Sequence, residues 1–575
     1  MTYFDLKIGI LSKKSAWSNK IMWLFQDETG YPSELITKDA VHQYPIIVVP
    51  YKRLIKNPSI FSDYLHQKGS MLIACTPHNE MEAKKHKPPE NILPVDFGDA
   101  HHQVGHYRVL DNENPLFSFF PQRYLHPEMR KDRNLDLMIR KLHVFPPAKT
   151  MVEFETISGD RYPLLICGTT EEDGRFAVIT ADDDTLICQY SNLGPLLHLA
   201  ALEWCLMNRP FVRKWHWPNG KRMTIVLTFD FETLAAYSDD GKSRKYWWWH
   251  RGLDRFLLGL GLRPILKFLA DKRVPSTWFV LGSQAVHTPK LVKKLASEEL
   301  IEIAGHGDFH MDIDRSAKRF DEDDLSVQKK RLNAMKQMIA SIVSLPIEGF
   351  RAPGLYANHD TLVALQESGF LWDCSSSPQT NYPTRWFFLP YYPIAKWEDK
   401  REIEVVEVPV VEPWDQWCPV HGGPHSAQDY LNELLEDFKF LYFMGGLQIL
   451  LVHPYWITAH KAWWKAVESF IDKILRTSDV AVSSCGEVYS SWMFRRRMRL
   501  EAMYNANTSI IHVQVKNAQP SLSLMVRIPE EYRVVDVLLN DATSIPFKFW
   551  KDLQSIIFVV STKGDCRYTI SLCKQ

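Results

Sequence analysis

The stretch Ile301-Glu302-Ile303-Ala304-Gly305-His306-Gly307-Asp308-Phe309-His310 carries two histidines four residues apart, directly after a short apolar run. That run is typical of the end of a buried strand, and Gly305 indicates a turn. A spacing of four places both imidazoles on one side of a helical turn, where they can bind one divalent cation. Two surface histidines would give the same pattern, so the metal interpretation depends on residues elsewhere in the chain.

Other predicted strands in the middle of the chain also end in polar side chains. One apolar strand ends at Asp230 and Glu232, which face the same side because side chains alternate along a strand. Later strands lead to Arg351 and His453, and Asp373 lies on another. Each residue alone would suit a salt bridge or a buried histidine. Together they predict a site at the C-terminal ends of the strands, where α/β barrels carry their chemistry.

Five motifs in this order resemble the polysaccharide deacetylases of the NodB-homology family, also called carbohydrate esterase family 4. The motifs are Thr228-Phe229-Asp230-Phe231-Glu232, His306-Gly307-Asp308-Phe309-His310, Arg351-Ala352-Pro353, Asp373 and Leu451-Val452-His453. The resemblance covers about residues 221 to 490. It implies a distorted (β/α) barrel with a divalent metal, usually zinc, at its mouth.

The resemblance also implies the metal ligands, which are His306, His310 and a carboxylate of the first motif. The family's usual first motif has adjacent aspartates, of which the second is the ligand. Phe231 occupies that second position here and cannot bind a metal. Strand alternation offers Glu232 as the substitute, because it lies on the same face as Asp230. Such variants resemble a branch of the family that includes enzymes acting on non-polymeric amides.

The remaining motif residues acquire catalytic roles from the same resemblance. Asp230 would be the general base, and Arg351 would hold its carboxylate in place. His453 would be the general acid, oriented by Asp373. The chemistry is consistent with amide hydrolysis, since a metal lowers the pKa of water from about 15.7 to about 7 and polarises a carbonyl. A carboxylate can then remove the water proton, and an imidazolium can protonate the departing amine.

Tryptophans are concentrated in the middle of the chain, where 15 of the 19 lie between Trp215 and Trp492. Aromatic rings stack on sugars, although most buried rings simply fill cores. We predict a substrate groove lined by Trp247, Trp248, Trp372, Trp417 and Tyr356. The basic, Trp-rich stretch from Arg244 to Arg251 would also suit a peripheral membrane contact or packing between domains.

The sequence predicts three domains, with the deacetylase-like barrel at residues 220–495. Residues 1–212 alternate short apolar runs with amphipathic stretches, which predicts a mostly parallel, doubly wound sheet. They resemble the flavodoxin-like domains of the class I glutamine amidotransferase superfamily. Cys75 follows a strand but lacks the glycines of a nucleophile elbow, so we interpret it as structural and this domain as non-catalytic. Residues 505–575 contain short, regularly spaced apolar segments, which predict a small antiparallel β-sandwich.

Composition limits the class of protein. The 68 basic and 68 acidic residues balance, which disfavours a nucleic-acid partner. The nine cysteines include no Cys-x-x-Cys pair and suggest reduced thiols. The N-terminal apolar run is too short for a signal-peptide core, and no stretch reaches the roughly 18 apolar residues of a membrane span. We therefore predict a cytoplasmic, multidomain protein whose oligomeric state is open.

The sequence as a whole predicts a zinc-dependent N-deacetylase acting on an acetamido sugar in a polysaccharide, an oligosaccharide or a lipid-linked glycan. One alternative is a hydrolase of a non-sugar amide, such as a formamide or a ureide. Another is a degenerate deacetylase fold that binds glycan or acts as a scaffold. Cys418, His421 and His425 have metal-ligand types, but we interpret their segment as a Gly/Pro loop over the active site rather than a second zinc site.

Overall fold

The computed structural model describes residues 3–67, 71–76, 93, 95–110, 135–182, 193–232, 262–309, 319–376, 388–393, 403–410 and 426–575. The chain divides into two compact units. The first unit comprises Met1–Gly220 and Met493–Gln575, and the second unit comprises Lys221–Trp492. The predicted boundaries of three separate domains stay a prediction. Within the described ranges, no helix combines the length and apolar character that crossing a membrane requires.

The N-terminal segment of the first unit contains mostly strands. They are β1 (Tyr3–Asp5), β2 (Ile8–Ile10), β3 (Ser33–Leu35), β4 (Ile46–Pro50), β5 (Met71–Thr76), β6 (Val95–Val109), β7 (Leu135–Val144), β8 (Lys149–Thr156), β9 (Arg161–Thr169), β10 (Arg175–Asp182) and β11 (Phe211–Lys214). The helices are α1 (Ala16–Met22), which continues as a π-helix (Trp23–Glu28), α2 (Tyr51–Lys56), α3 (Pro58–His66) and α4 (Leu193–Leu206), with a 3-10 turn at Lys38–Gln43.

Nine of these strands form one sheet in the order β3-β2-β4-β5-β10-β7-β6-β8-β9. The ladders from β3 to β10 are parallel. The remaining ladders are antiparallel, and β9 pairs back onto β10. The sheet is therefore mixed, which corrects the expectation of a mostly parallel one. The reason is the short connections at residues 157–160 and 170–174, because parallel neighbours need a crossover of about a dozen residues.

The second unit is built on parallel strands. They are β12 (Met223–Phe231), β13 (Ser276–Val280), β14 (Ile301–Gly305), β15 (Gly349–Phe350), β16 (Trp372–Asp373), β17 (Val406–Glu407), β18 (Leu447–Val452) and β19 (Val480–Ser483). The helices are α5 (Gly282–His287), α6 (Pro289–Ala296), α7 (Leu325–Ala340), α8 (His359–Glu367), α9 (Ala427–Met444), α10 (Pro454–Ala459) and α11 (Lys461–Ile474), with 3-10 turns at Phe320–Glu322 and Pro353–Leu355. The chain continues through α12 (Cys485–Arg497).

These eight strands form one curled sheet in the order β17-β16-β15-β14-β13-β12-β18, with β19 also paired to β12. Strands β12 and β18 are buried at every position, as expected for parallel strands covered on both faces. No ladder joins the end strands β17 and β18 in the part of the chain that the structure describes. The predicted α/β class and parallel strands are confirmed, and the curled half-barrel of the described strands is consistent with the predicted distorted barrel.

The C-terminal segment consists of antiparallel strands. They are β20 (Arg499–Asn505), β21 (Ile510–Ala518), β22 (Ser523–Arg527), β23 (Tyr532–Leu539), β24 (Thr543–Ser544), β25 (Phe547–Trp550), β26 (Ser555–Val559) and β27 (Gly564–Lys574), with a 3-10 turn at Lys551–Leu553. One sheet has the order β1-β20-β21-β27-β23-β24 and the other β11-β22-β26-β25. Residues of both sheets share one hydrophobic core. Strands β1 and β11 therefore tie the two segments of the first unit together.

Candidate active site

The two carboxylates of the candidate site lie at the C-terminal end of β12, where Asp230 is in the strand and Glu232 follows its last residue. Asp230 is 3% exposed and Glu232 is 1% exposed. Phe231 between them is also buried, and its ring lies 6.1 Å from that of Trp278 in a tilted contact. Phe231 therefore packs in the core, as the alternation of side chains along a strand requires.

The loop after β14 holds the first histidine through backbone hydrogen bonds. His306 N donates to Val280 O at 3.0 Å, and Gly282 N donates to Gly307 O at 2.9 Å. Gly307 has a φ of 86°, and a Cβ there would lie 2.9 Å from Cγ of Pro353. Glycine fits this position because other residues strain at positive φ and would also press on the proline.

Two partly buried ion pairs of Arg331 brace the same loop. Arg331 Nε donates to Asp308 Oδ1 at 2.9 Å, and Arg331 Nη1 donates to Asp323 Oδ2 at 2.7 Å. Arg331 lies on α7, so the helix fixes the loop that follows His306. His310, the other histidine of the motif, lies outside the described residues.

Four of the predicted residues converge at the C-terminal ends of the strands. Nε2 of His306 lies 3.3 Å from Glu232 Oε2 and 3.6 Å from Asp230 Oδ2. Nε2 of His453 lies 3.6 Å from Glu232 Oε1 and 3.8 Å from Asp230 Oδ2. All four side chains are buried. Parallel pairing explains the convergence, because β12, β14 and β18 end at the same edge of the sheet.

Arg351, which follows β15, is fully buried beneath this cluster. Its Nη1 donates to Asp230 Oδ1 at 2.7 Å, and its Nη2 donates to Thr228 Oγ1 at 3.0 Å. Its Nε donates to the carbonyl of Cys374 at 3.1 Å, and the guanidinium lies over the Phe279 ring at 3.9 Å. The predicted contact between Arg351 and Asp230 is therefore present in the structure.

One hydrogen bond fixes the tautomer of His306. Its Nδ1 lies 2.9 Å from the carbonyl oxygen of Arg351. Because a carbonyl can only accept, Nδ1 carries a proton and Nε2 faces the carboxylates. Burial disfavours the imidazolium, but Asp230 and Glu232 outweigh burial and raise the pKa of His306. The two carboxylates thus stabilise a positive charge on the His306 ring.

The donor set matches a divalent metal in kind. Imidazole nitrogens and carboxylate oxygens are zinc ligands, and two donors on one tetrahedral zinc lie roughly 3.4 Å apart. His306 Nε2 and Glu232 Oε2 are 3.3 Å apart. No three His, Cys, Asp or Glu side chains within the described ranges already form a complete metal centre. His310, the third predicted ligand, lies outside those ranges. The full ligand set therefore stays a prediction.

Asp373 lies at the end of β16, beside a residue that the sequence analysis did not select. Its Oδ1 accepts from Ser375 Oγ at 2.7 Å, and its neighbour in the parallel ladder is Glu407 on β17. Burial raises the pKa of Asp373 to about 6, although Ser375 and Glu407 partly offset this effect. Glu407 was missed because an acid within a predicted strand gives no sign of its cross-strand neighbour. The orientation of His453 by Asp373 stays a prediction.

The predicted substrate residues have different outcomes. Trp372 is buried, with its ring against Phe279 in an edge contact at 5.9 Å, so its assignment to the groove is corrected to a core position. Tyr356 is 38% exposed just beyond the 3-10 turn Pro353–Leu355, and the Arg319 guanidinium lies 4.6 Å from its ring centre. Trp247, Trp248 and Trp417 lie outside the described residues. Cys418, His421 and His425 also lie outside the described residues.

The comparisons with known proteins agree on the class of domain. Residues 260–371 match the family model described as Polysaccharide deacetylase. A curated relative, the Peptidoglycan deacetylase-like protein FGM2 of Gibberella zeae, is 27% identical over 223 residues. The match covers 36% of this chain and 64% of the relative, so it spans less than two thirds of the relative's length. These matches support a polysaccharide deacetylase domain in the second unit.

Two solved structures are more distant. The crystal structure of Agd3, described as a carbohydrate deacetylase, is 10% identical, covers 100% of both chains and has a TM-score of 0.42. The crystal structure of PuuE allantoinase is 16% identical, covers 48% of this chain and 92% of its own, and has a TM-score of 0.38. Scores of this size are too low to carry an inference about function.

Proposed function

We propose that the second unit is a divalent-metal-dependent hydrolase that removes the N-acetyl group from an acetamido sugar in a polysaccharide, an oligosaccharide or a lipid-linked glycan. The observation that carries this proposal is the convergence of Asp230, Glu232, His306 and His453. The polysaccharide deacetylase match over residues 260–371 supports the choice of substrate class.

We propose that His306 and Glu232 hold the metal together with His310, and that the metal is zinc, for which imidazole nitrogen and carboxylate oxygen are common ligands. A bound divalent metal supplies positive charge that polarises an acyl carbonyl and lowers the pKa of water. The chain prepares this site by directing Nε2 of His306 toward Glu232, through the hydrogen bond between Nδ1 and Arg351 O at 2.9 Å.

Asp230 is the proposed general base. Arg351 occupies Oδ1 at 2.7 Å, and Oδ2 lies 3.6 Å from His306 and 3.8 Å from His453. One oxygen is therefore anchored while the other faces the site, where it would accept the proton of the attacking water. The burial of this carboxylate limits competition from bulk solvent.

His453 is the proposed general acid, which would give its proton to the departing amine. Its Nε2 lies 3.6 Å from Glu232 and 3.8 Å from Asp230, and both carboxylates attract the charge of an imidazolium. Tyr356, exposed at the rim of the Arg351 segment, is the proposed contact for the sugar. Membrane contact by the Arg244 to Arg251 stretch stays a prediction.

We propose a supporting role for the first unit. Its nine-stranded sheet, of which only the part from β3 to β10 is parallel and flavodoxin-like, would serve as a non-catalytic platform, and its two antiparallel sheets would form a β-sandwich. Cys75 lies in β5, which ends at Thr76, and Pro77 and His78 are outside the described part of the chain. The interpretation of Cys75 as structural therefore stays a prediction, as does the cytoplasmic location.

The function is tested by metal content and product analysis on the full chain. We expect about one divalent ion per chain, acetate release from oligomers of N-acetylglucosamine, and loss of the ion in His306→Ala. Asp230→Asn should keep the ion and lose about 10²- to 10⁴-fold in rate, because it removes the base and leaves His306 and Glu232 in place. Glu302→Gln is the matched control, since Glu302 is a carboxylate on β14 bonded to Thr277 rather than to the site.

Other outcomes would contradict the proposal. A wild-type protein that binds no metal after zinc addition and dialysis, yet binds glycan, would indicate a degenerate deacetylase fold. A metal-loaded protein that hydrolyses formamides or ureides but releases no acetate from sugars would indicate the non-sugar alternative.

A further inference from the structure

Two buried carboxyl groups lie side by side behind the candidate site. Asp373 and Glu407 are direct partners in the parallel ladder between β16 and β17, and both are fully buried. Paired residues on adjacent strands point to the same face, and the strands are about 4.8 Å apart. The two carboxyl groups therefore share one small volume from which solvent is excluded.

The surroundings of this pair allow only part of its negative charge to be balanced. Glu407 Oε1 accepts from Ser376 N at 2.8 Å, and Asp373 Oδ1 accepts from Ser375 Oγ at 2.7 Å. The other titratable groups that act on the pair are Arg351, which already binds Asp230, and the Cys374 thiol. Two carboxylates this close in a buried site do not both ionise easily, so one proton is retained between them.

Burial and the neighbouring acid act in the same direction on Glu407. Burial, followed by the charge of Asp373, raises the pKa of Glu407 well above its ordinary value. Burial also raises the pKa of Asp373 to about 6. These directions agree with the geometry, in which two buried carboxyl groups are direct partners in one ladder.

A continuous set of hydrogen bonds connects this pair to His306. The hydroxyl of Ser375 that donates to Asp373 also accepts from Ala352 N at 2.8 Å. The carbonyl of the same peptide unit, that of Arg351, faces Nδ1 of His306 at 2.9 Å. One peptide thus joins the acid pair on one side to the imidazole on the other. Such outer partners orient the ring of a metal-binding histidine and increase its basicity.

We propose that Glu407 is a positioning residue: it shares one proton with Asp373, and the pair holds Ser375 and the Arg351–Ala352 peptide so that Nε2 of His306 faces Glu232. The proposal rests on the proposed function only in assuming that this nitrogen binds a metal. Glu407 touches neither substrate nor metal in this arrangement, and it acts through Asp373, Ser375 and one peptide bond.

Infrared difference spectroscopy tests the shared proton without a metal or a substrate. We expect the difference between the wild-type full chain and Glu407→Gln at neutral pH to show the C=O band of one protonated carboxyl group. Its absence from that difference would overturn the proposal. Gln can still accept from Ser376 N, so this change removes the proton and keeps the backbone contact.

Zinc affinity and the His306 tautomer test the positioning role. We expect Glu407→Gln to weaken zinc binding by about 10- to 100-fold and to change the nitrogen-15 NMR signals of His306 in the metal-free chain. Glu302→Gln is the matched control, because Glu302 is a half-buried acid that accepts from Thr277 Oγ1 at 2.7 Å, outside this network. Unchanged zinc affinity and unchanged His306 signals in Glu407→Gln, or equal losses in both variants, would overturn the proposal.

A second pair of variants applies if Glu407→Gln does not fold. Ser375→Ala removes the hydroxyl between Ala352 N and Asp373, whereas Ser375→Thr keeps a hydroxyl there. The proposal requires weaker zinc binding in the first variant only. Failure of the proposed function gives a different result, because a chain that releases no acetate can still show the shared proton and the His306 effect.

Discussion

The contact between Arg351 and Asp230 permits a quantitative prediction about the second unit. Arg351→Met keeps a long side chain but removes the donor to Asp230 Oδ1 at 2.7 Å and the donor to Thr228 Oγ1 at 3.0 Å. Asp230 is 3% exposed, so water cannot replace the lost guanidinium at little cost. The carboxylate of Asp230 would then be buried without the guanidinium that balances its charge.

The expected loss follows from that unbalanced charge. Removing one partner of a buried ion pair costs about 3–5 kcal/mol. Both partners are almost inaccessible, so solvent screening does not reduce this range greatly. A loss of this size corresponds to amide exchange that is faster by roughly two to four powers of ten in strands that open with the whole unit.

Hydrogen-exchange mass spectrometry of the full chain measures this loss in peptides from β12 and β15. Adding Asp230→Asn to Arg351→Met removes the unbalanced carboxylate, so part of the protection should return. We expect a coupling of about 1–3 kcal/mol between the two sites, within the range for residues in contact. Arg222→Met is the matched control, because buried Arg222 donates to the carbonyl of Tyr442 at 2.8 Å.

The reasoning would be refuted by a small loss or by additivity. If Arg351→Met changed protection by less than about 1 kcal/mol, the arginine would not be balancing a buried charge. If Asp230→Asn added its own loss in full to that of Arg351→Met, the two side chains would not be energetically coupled.

Three further predictions address the acid pair, the core and the groove. Burial raises the pKa of Asp373 from 3.8 to about 6, so between these pH values the folded chain keeps a proton that the unfolded chain releases, and the free energy of unfolding falls by on the order of 3 kcal/mol as pH rises. Asp373→Asn should remove this pH dependence from urea titrations at both ends of the window, and an unchanged dependence would contradict the prediction. Gly349→Ala places a Cβ against the Trp372 ring and should cost about 1–3 kcal/mol in thermal denaturation, with partial recovery on adding Trp372→Phe; no loss would contradict the core position of this ring. Tyr356→Ala should raise KM for the sugar several-fold with little change in kcat, and steady-state kinetics that show the reverse would place Tyr356 outside the groove.

Local patterns explain why much of the candidate site could be predicted. An apolar strand that ends in Asp230 and Glu232 fixes its own side-chain alternation, because that alternation depends only on the extended backbone. The same argument places His306 and His453 directly after buried strands. Parallel strands then bring these ends to one edge, which is where the structure has them.

Contacts between distant segments could not be predicted in the same way. The pairing of Asp373 with Glu407 depends on the register of two strands separated by a long segment, and a one-residue slip would separate them. Trp372 is a residue type that stacks on sugars, yet Gly349 on the neighbouring strand leaves room for its ring in the core. The mixed sheet of the first unit likewise depends on which strands meet.

The sequence by itself therefore determined most strands of the second unit and the positions of Asp230, His306 and His453 at strand ends, because both follow from short-range periodicity. Only the tertiary structure decided which of these groups share a hydrogen bond or lie beside another charged group. Those relations depend on strand register and burial, which residues far apart in the chain set together.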